Sequence, residues 1–245
     1  MSLETAQALG VPLPSAARPE YADSYELGYK AELFDHRLVL EATGFYIKWK
    51  DMQAIVPVVA GALSGTVNAP TASSPGVELA ARWSVNQAFR LGAMGSWNDA
   101  RIDGNVIVDA LLRDPVTGLP TGNTTPTVVF YRNDRLNDVP EWTGALTFDF
   151  TQPFANDRLL FVTRGGVQYA SERESRSYGT GVTGDASTTL DLRVGIEGMQ
   201  WGLYLFGTNL TNEDALVSPI QSSTRADYGM RYRPRTVGIN FKFDY

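Results

Sequence analysis

The sequence predicts an all-β protein: an antiparallel transmembrane β-barrel wall of about nine long strands. Three observations carry that prediction. Apolar and polar residues alternate with period two from about Asp23 to the C-terminus, and no segment has a convincing helical period. The strands run to about ten residues or more, against the five or six usual in soluble sheets. Connections alternate between tight turns and long loops, as in a barrel with short periplasmic turns and long extracellular loops.

The strands follow in order. Tyr25, Leu27, Tyr29, Ala31 and Leu33 alternate with Glu26, Gly28, Lys30 and Glu32, and Phe34-Asp35-His36-Arg37 turns the chain. The next strand runs from about Leu38 to Asp51. Phe45, Ile47 and Trp49 are expected on its apolar face, with Tyr46, Lys48 and Lys50 on the other. Glu41 falls on that apolar face too, unless a bulge shifts the phase. Val77, Leu79, Ala81, Trp83 and Val85 alternate with Glu78, Arg82 and Ser84. After Asn86-Gln87, Phe89, Leu91, Ala93, Gly95 and Trp97 alternate with Arg90, Ser96 and Asn98. Trp142, Gly144, Leu146, Phe148 and Phe150 alternate with Glu141, Thr143, Thr147 and Asp149. Leu159, Phe161, Val167 and Tyr169 alternate with Arg164 and Gln168; Leu190, Leu192, Val194 and Ile196 alternate with Asp191, Arg193 and Glu197. Trp201, Leu203 and Leu205 follow a tight turn. The chain ends Val237, Ile239, Phe241, Phe243, Tyr245, alternating with Gly238, Asn240, Lys242 and Asp244. Tight turns lie near Asp35, Asn86, Asn156 and Met199, and long connections cover 53–74, 102–137, 172–185 and 212–233.

Composition narrows the function classes. Hydrophobic residues make up 43% of the 245 and charged residues 20%, too apolar a balance for a disordered chain. A net charge of −6 argues against nucleic acid as a partner. Cysteine is absent and His36 is the sole histidine, which removes thiol chemistry and most His-dependent chemistry. The mean hydropathy of −0.17 suits a soluble protein, but alternation cancels in that mean, so it is blind to a membrane barrel. A soluble sandwich and a barrel both explain alternation. Strand length favours the barrel, as do Tyr25, Trp49, Trp83, Phe89, Trp97, Trp142, Phe150, Trp201 and Tyr245 near strand ends, where aromatic girdles would lie. The other face carries Glu78, Arg82, Arg90, Asp149, Arg164, Asp191, Arg193 and Lys242, suited to a wet or plugged lumen.

Five stretches in order resemble the C-terminal barrel region of TonB-dependent outer-membrane receptors. They are PEYADSYELGYK at 19–30, GFYIKWKDMQ at 44–53, GVEL at 76–79, LFGTNLTNE at 205–213 and RPRTVGINF at 233–241. The resemblance implies an outer-membrane receptor of a Gram-negative bacterium that imports a ferric siderophore or similar scarce solute. Its partners would be outer-membrane lipid, the barrel-assembly machinery and the TonB energy-coupling system, the last through an N-terminal part. That family has a plug, a TonB-contact motif and a barrel of about 22 strands. Neither plug nor motif is recognisable, and residues 1–21 show no basic start or apolar core of signal-peptide length. The resemblance therefore implies a barrel fragment: a loop segment over 1–22 and the last part of a barrel over 23–245. A passive porin-like barrel and a soluble β-sandwich carbohydrate-binding module remain as alternatives.

No nucleophile–base–orienter set is visible, so neither enzyme chemistry nor a cofactor is expected. Gly179 to Gly184 matches G-x-G-x-x-G, but a strand is predicted after it where a nucleotide site needs a helix. His36 reads as a solvated turn residue. Asp99, Asp103 and Asn105 lack regular calcium-loop spacing, and no metal site is expected. Arg113, Tyr131, Arg132 and Arg135 in the long 102–137 loop are the candidate ligand contacts, since Arg and aromatic side chains suit anionic chelates. Val237, Ile239, Phe241, Phe243 and Tyr245 form a candidate C-terminal assembly signal, an edge that a partner could read by strand addition.

Overall fold

The computed structural model describes residues 17–59, 63–117, 120–177, 180–219 and 229–244. Nine strands carry the long-period alternation: β1 (Tyr21–Leu33), β2 (Leu38–Lys50), β5 (Ala72–Ser84), β6 (Phe89–Asn98), β10 (Trp142–Phe154), β11 (Leu159–Ala170), β14 (Ser187–Glu197), β15 (Trp201–Thr208) and β18 (Thr236–Phe243). They form one antiparallel sheet in that order, with the two-residue β7 (Arg101–Ile102) added beside β5. The long connections hold four hairpins that the alternation did not reveal: β3 (Gln53–Val59) with β4 (Leu63–Asn68), β8 (Val106–Arg113) with β9 (Pro120–Phe130), β12 (Arg173–Ser177) with β13 (Thr180–Gly184), and β16 (Leu216–Pro219) with β17 (Gly229–Arg231).

The tight turns have local causes. Phe34, Asp35 and His36 take φ of 53°, 54° and 62°, and Ala155, Asn156 and Asp157 take 53°, 54° and 63°. Three successive left-handed residues reverse the chain in each case, eased by Asx residues that tolerate that region. Between β5 and β6, Asn86 Oδ1 accepts the amides of Ala88 and Phe89 at 2.8 and 2.9 Å. Between β14 and β15 the Gly198 amide donates to the Trp201 carbonyl at 2.8 Å.

Register sorts the side chains cleanly. Leu27, Leu79, Leu146, Leu190, Leu205, Ile239 and Phe241 share one face and are exposed, Leu27 at 82% and Ile239 at 74%. A sandwich would bury that face against a second sheet. Here a single sheet leaves it bare, as a lipid-facing wall does. The buried apolar cluster lies instead at the long-loop end. Met52, Ala54, Ala69, Ala72, Ile102, Val106, Val108, Val129 and Phe130 pack there, from β3, β4, β8, β9 and their neighbours.

One strand reverses the expected phase. The β1–β2 register runs unbroken from Tyr21 opposite Lys50 to Leu33 opposite Leu38, so no bulge intervenes. Phe45, Ile47 and Trp49 therefore share the charged face with Glu41, and Tyr46, Lys48 and Lys50 turn outward. The reason is local fit. Glu41 sits between Lys30 at 3.5 Å and Arg82 at 2.9 Å. The Phe45 ring lies across Gly76, where any Cβ would overlap it. Trp49 packs on the loop-end cluster, so it belongs to no lipid girdle.

Candidate functional site

The long-loop end of the charged face is roofed by the hairpins, and an ionic clamp fixes the roof. Arg135, with a side chain only 15% exposed, sets its guanidinium 2.6 Å from Glu141 and 3.8 Å from Asp99. The nitrogen nearest Asp99, Nη2, also donates to the Asn98 carbonyl at 3.2 Å, which ties the loop to the end of β6. Arg101 reaches Asp99 at 2.8 Å from the other side. Asn137 then joins the next hairpin. Its Nδ2 donates to the Arg176 carbonyl at 3.0 Å and its Oδ1 accepts the Arg176 amide at 2.9 Å. Arg176 in turn pairs with Glu174 at 2.9 Å and Asp134 at 3.5 Å. Ser218 Oγ donates to Asp138 Oδ1 at 3.2 Å, so β16 joins the same roof.

The Trp97 indole N–H and the Arg135 guanidinium both donate to Glu141 and hold its carboxyl below the ordinary glutamate value of 4.5. A depressed pKa favours the clamp above the ordinary value, and the contribution is lost as pH falls through the lowered value. The roof should therefore survive acidification past 4.5 and loosen only below it. Arg135→Ala removes the ion pair of Glu141, which keeps the Trp97 N–H, and leaves Asp99 to Arg101, and should cost on the order of 1–2 kcal/mol of local stability. Amide exchange across 99–141 should speed up in that variant at neutral pH. Unchanged exchange would show that the hairpin cluster holds the loop without the clamp.

Beneath the roof, a cavity of about 560 Å³ opens on the charged face. Glu41, Glu78, Ser96, Thr143, Gln168 and Arg173 are among its walls. The strands place these groups by period two, because Glu78, Ser96 and Thr143 stand opposite one another across β5, β6 and β10. Arg173 is held from outside by the Val217 carbonyl at 3.1 Å, and its Nε is buried without a hydrogen-bond partner. Hydroxyls, an amide, carboxylates and a guanidinium donor can hold a polar solute. They make no nucleophile–base pair. A second hollow of about 610 Å³ lies nearer the tight turns, among Thr147, Asp149, Arg164, Asp191 and Arg193. There Arg164 pairs with Asp149 at 2.9 Å, and the Arg193 guanidinium stacks 3.6 Å above the Tyr204 ring.

The candidate loop residues are placed apart. Arg113 pairs with Pro120 at the far end of the β8–β9 hairpin, and its side chain lies outside the described residues. Tyr131 is 48% exposed, its amide donating to Asp134 at 2.8 Å. Arg132 is exposed, its amide held by Asn105 Oδ1 at 2.8 Å. Arg135 belongs to the clamp. Tyr131, Arg132 and Arg135 are not among the residues that line the two cavities. Val237, Ile239, Phe241 and Phe243 form an outward, exposed row on β18, and Tyr245 lies outside the described residues. His36, in the β1–β2 turn, pairs with Glu32. The described part of the glycine-rich match is equally bland: Thr180–Gly184 is a hairpin strand followed by β14, where a phosphate site needs a helix. Asp99 and Asp103 are taken up by Arg101 and Ser73, and no metal-holding cluster occurs among the described residues.

Residues 7–210 match the family described as TonB dependent receptor-like, beta-barrel. No curated protein sequence matches the chain. Among solved structures, the ferric yersiniabactin uptake receptor of Yersinia pestis is similar at 19% identity and a TM-score of 0.68, over 92% of this chain and 30% of its own. The ferric-catecholate import receptor of E. coli K12 is similar at 17% identity and a TM-score of 0.64, over 94% and 29%. The ferripyoverdine receptor of the outer membrane of Pseudomonas aeruginosa follows at 14% and 0.63, over 94% and 28%. The chain thus spans about 30% of the length of the first of these structures. At these identities the likeness shows the fold, and the proteins it joins are receptors rather than enzymes.

Proposed function

Since the chain belongs to the TonB dependent receptor-like β-barrel family, we propose that it forms the C-terminal barrel portion of an outer-membrane receptor for TonB-energised uptake of a ferric siderophore or similarly scarce solute. Residues 23–245 supply the last part of the wall and 1–22 a segment leading into it, whose last two residues already belong to β1. The observation that supports this most is the two-faced sheet: one face bare and apolar, the other charged, with a polar cavity under braced hairpins. The outer face meets lipid, the inner face lines the lumen, and the hairpin end faces the medium.

Arg113, Tyr131 and Arg132 would meet solute on the outer hairpins, while Arg173 and its neighbours would meet it deeper. Coupling to TonB would run through an N-terminal part of the same receptor, and insertion through the barrel-assembly machinery. The test is growth of iron-starved cells on single purified ferric siderophores. The intact gene should support growth on at least one, and loss of either the gene or TonB should abolish it. Uptake that persists without TonB would overturn the reading in favour of a passive pore.

A further inference from the structure

The outward face of the sheet is almost free of charge. Across the nine long strands its cations are Lys48 and Lys50, and its anion is Asp23. All three lie on β1 and β2, at the hairpin end. Reading outward along this pair, Leu27 and Gly44 stand opposite each other, then Tyr25 and Tyr46, then Asp23 and Lys48, then Tyr21 and Lys50. The order is apolar, aromatic, charged. Tyrosine marks the boundary between hydrocarbon and headgroups, since its ring is apolar and its hydroxyl wants water. The lysines begin one residue pair beyond, about 7 Å further along the strand. Both strands are 13 residues long, more than the 9–11 or so that cross the hydrocarbon, which leaves this end in the headgroup layer.

Charge balance at this rim is incomplete. Lys50 Nζ holds Asp23 at 2.6 Å. Lys48 is exposed, with no ion-pair or hydrogen-bond partner among the described residues. The other nearby charges are committed elsewhere: Arg18 pairs with Asp51 at 2.7 Å, and Glu20 accepts the Gln53 amide at 2.8 Å. One cation remains, on a surface that lipid must cover, at the depth where lipid carries its phosphates. We propose that Lys48, with Lys50 beside it, is a binding site for the phosphate of an anionic lipid headgroup in the outer leaflet. The site extends the reading of this chain as an outer-membrane barrel, on which its orientation rests. It commits to lipid because the cations continue the lipid-facing row past its aromatic belt, outside both cavities.

The test is native mass spectrometry of the intact gene product in mild detergent, titrated with diphosphorylated lipid A and with its dephosphorylated form. The protein should retain the phosphorylated lipid preferentially. Lys48→Gln/Lys50→Gln should lower that preference by about fivefold or more, the factor one cation near an anionic surface contributes. Lys48→Arg/Lys50→Arg should preserve it. So should Arg90→Gln, which removes a cation from the inner face. Lys48→Gln alone leaves the Lys50–Asp23 pair intact and gives the same reading if the double variant fails to assemble. Equal retention of both lipids, or no loss in the variants, would overturn the site. Displacement of the lipid by inorganic phosphate would overturn its assignment to a headgroup. Siderophore-dependent growth, measured separately, tests the receptor reading, so failure of one can be told from failure of the other.

Discussion

Leu192→Arg should destabilise the folded barrel by about 2–4 kcal/mol, whereas Arg193→Leu, one residue along, should cost about 1 kcal/mol or less. Leu192 is central in the 11-residue β14, on the outward face, opposite Gly165 and Gly207. Leu190 and Val194 flank it on the same face, and the glycines beside it offer no side chain to shield a guanidinium. An arginine there must stand in hydrocarbon or drag water and headgroups inward. Arg193 points the other way. Its guanidinium stacks on Tyr204, which a leucine would forfeit. Its cross-strand partner is Arg164, a like charge directly opposite, so the substitution also relieves repulsion. Denaturant titration of the intact gene product folded into bilayers measures both variants. If Arg193→Leu proved the more damaging, the assignment of inside and outside would be wrong.

That prediction could be framed from sequence alone, because on β14 the apolar and polar residues alternate without exception. β18 alternates as strictly from Val237 to Phe243, and β1, β5, β6, β10 and β15 keep an outward apolar row despite Asp23 on that row and Met94, Tyr204 and Phe206 on the inner face, so both the strand count and the tight turns could be read from the pattern. β2 was legible only in part. Phe45, Ile47 and Trp49 look lipid-facing by hydropathy, yet they share a face with Glu41. What decides is a cross-strand partner: Phe45 fits over Gly76, and a single strand's pattern does not contain its neighbour. The loop hairpins were hidden for a related reason. Met52 from one long connection and Ile102 and Val129 from distant points of the next share one buried cluster, so no period along the chain announces them. Arg135 illustrates the limit for site residues. A loop arginine invites a role in ligand contact, but Glu141 and Asp99 already engage it, and their positions depend on how β6 and β10 pair. Arg173, which the cavity does contain, carries no signal in a segment without alternation.

Removing Phe243–Tyr245 from the intact gene product should lower its level in the outer membrane far beyond what the lost contacts explain. β18 pairs on one side with β15, from Trp201 opposite Phe243 to Thr208 opposite Thr236. Its other side has no strand beside it among the described residues, and neither does the outer side of β1. Unpaired backbone groups facing hydrocarbon cost several kcal/mol each, so both edges must be closed by further strands, by each other or by another chain. Among the described residues the truncation takes the cross-strand aromatic pair of Trp201 with Phe243 and the Asp244 amide's hydrogen bond to the Gln200 carbonyl at 2.9 Å, together worth about 2 kcal/mol, and the exposed Lys242–Asp244 ion pair, which adds little. Each kcal/mol of that loss reduces the folded population by about fivefold at the limit, and the aromatic pair accounts for one such step. It also shortens the exposed row of Val237, Ile239, Phe241 and Phe243 that an assembly partner would pair with, together with Tyr245 beyond it. Phe243→Ala separates the two effects, since it gives up the aromatic pair but keeps the strand's backbone and length. If the row is an assembly signal, the truncated protein should be nearly absent from outer-membrane fractions while Phe243→Ala remains within about fivefold of the parent. Equal, mild losses in the two variants would mean that β18 acts through stability alone. Normal levels and normal uptake in the truncated protein would remove both roles.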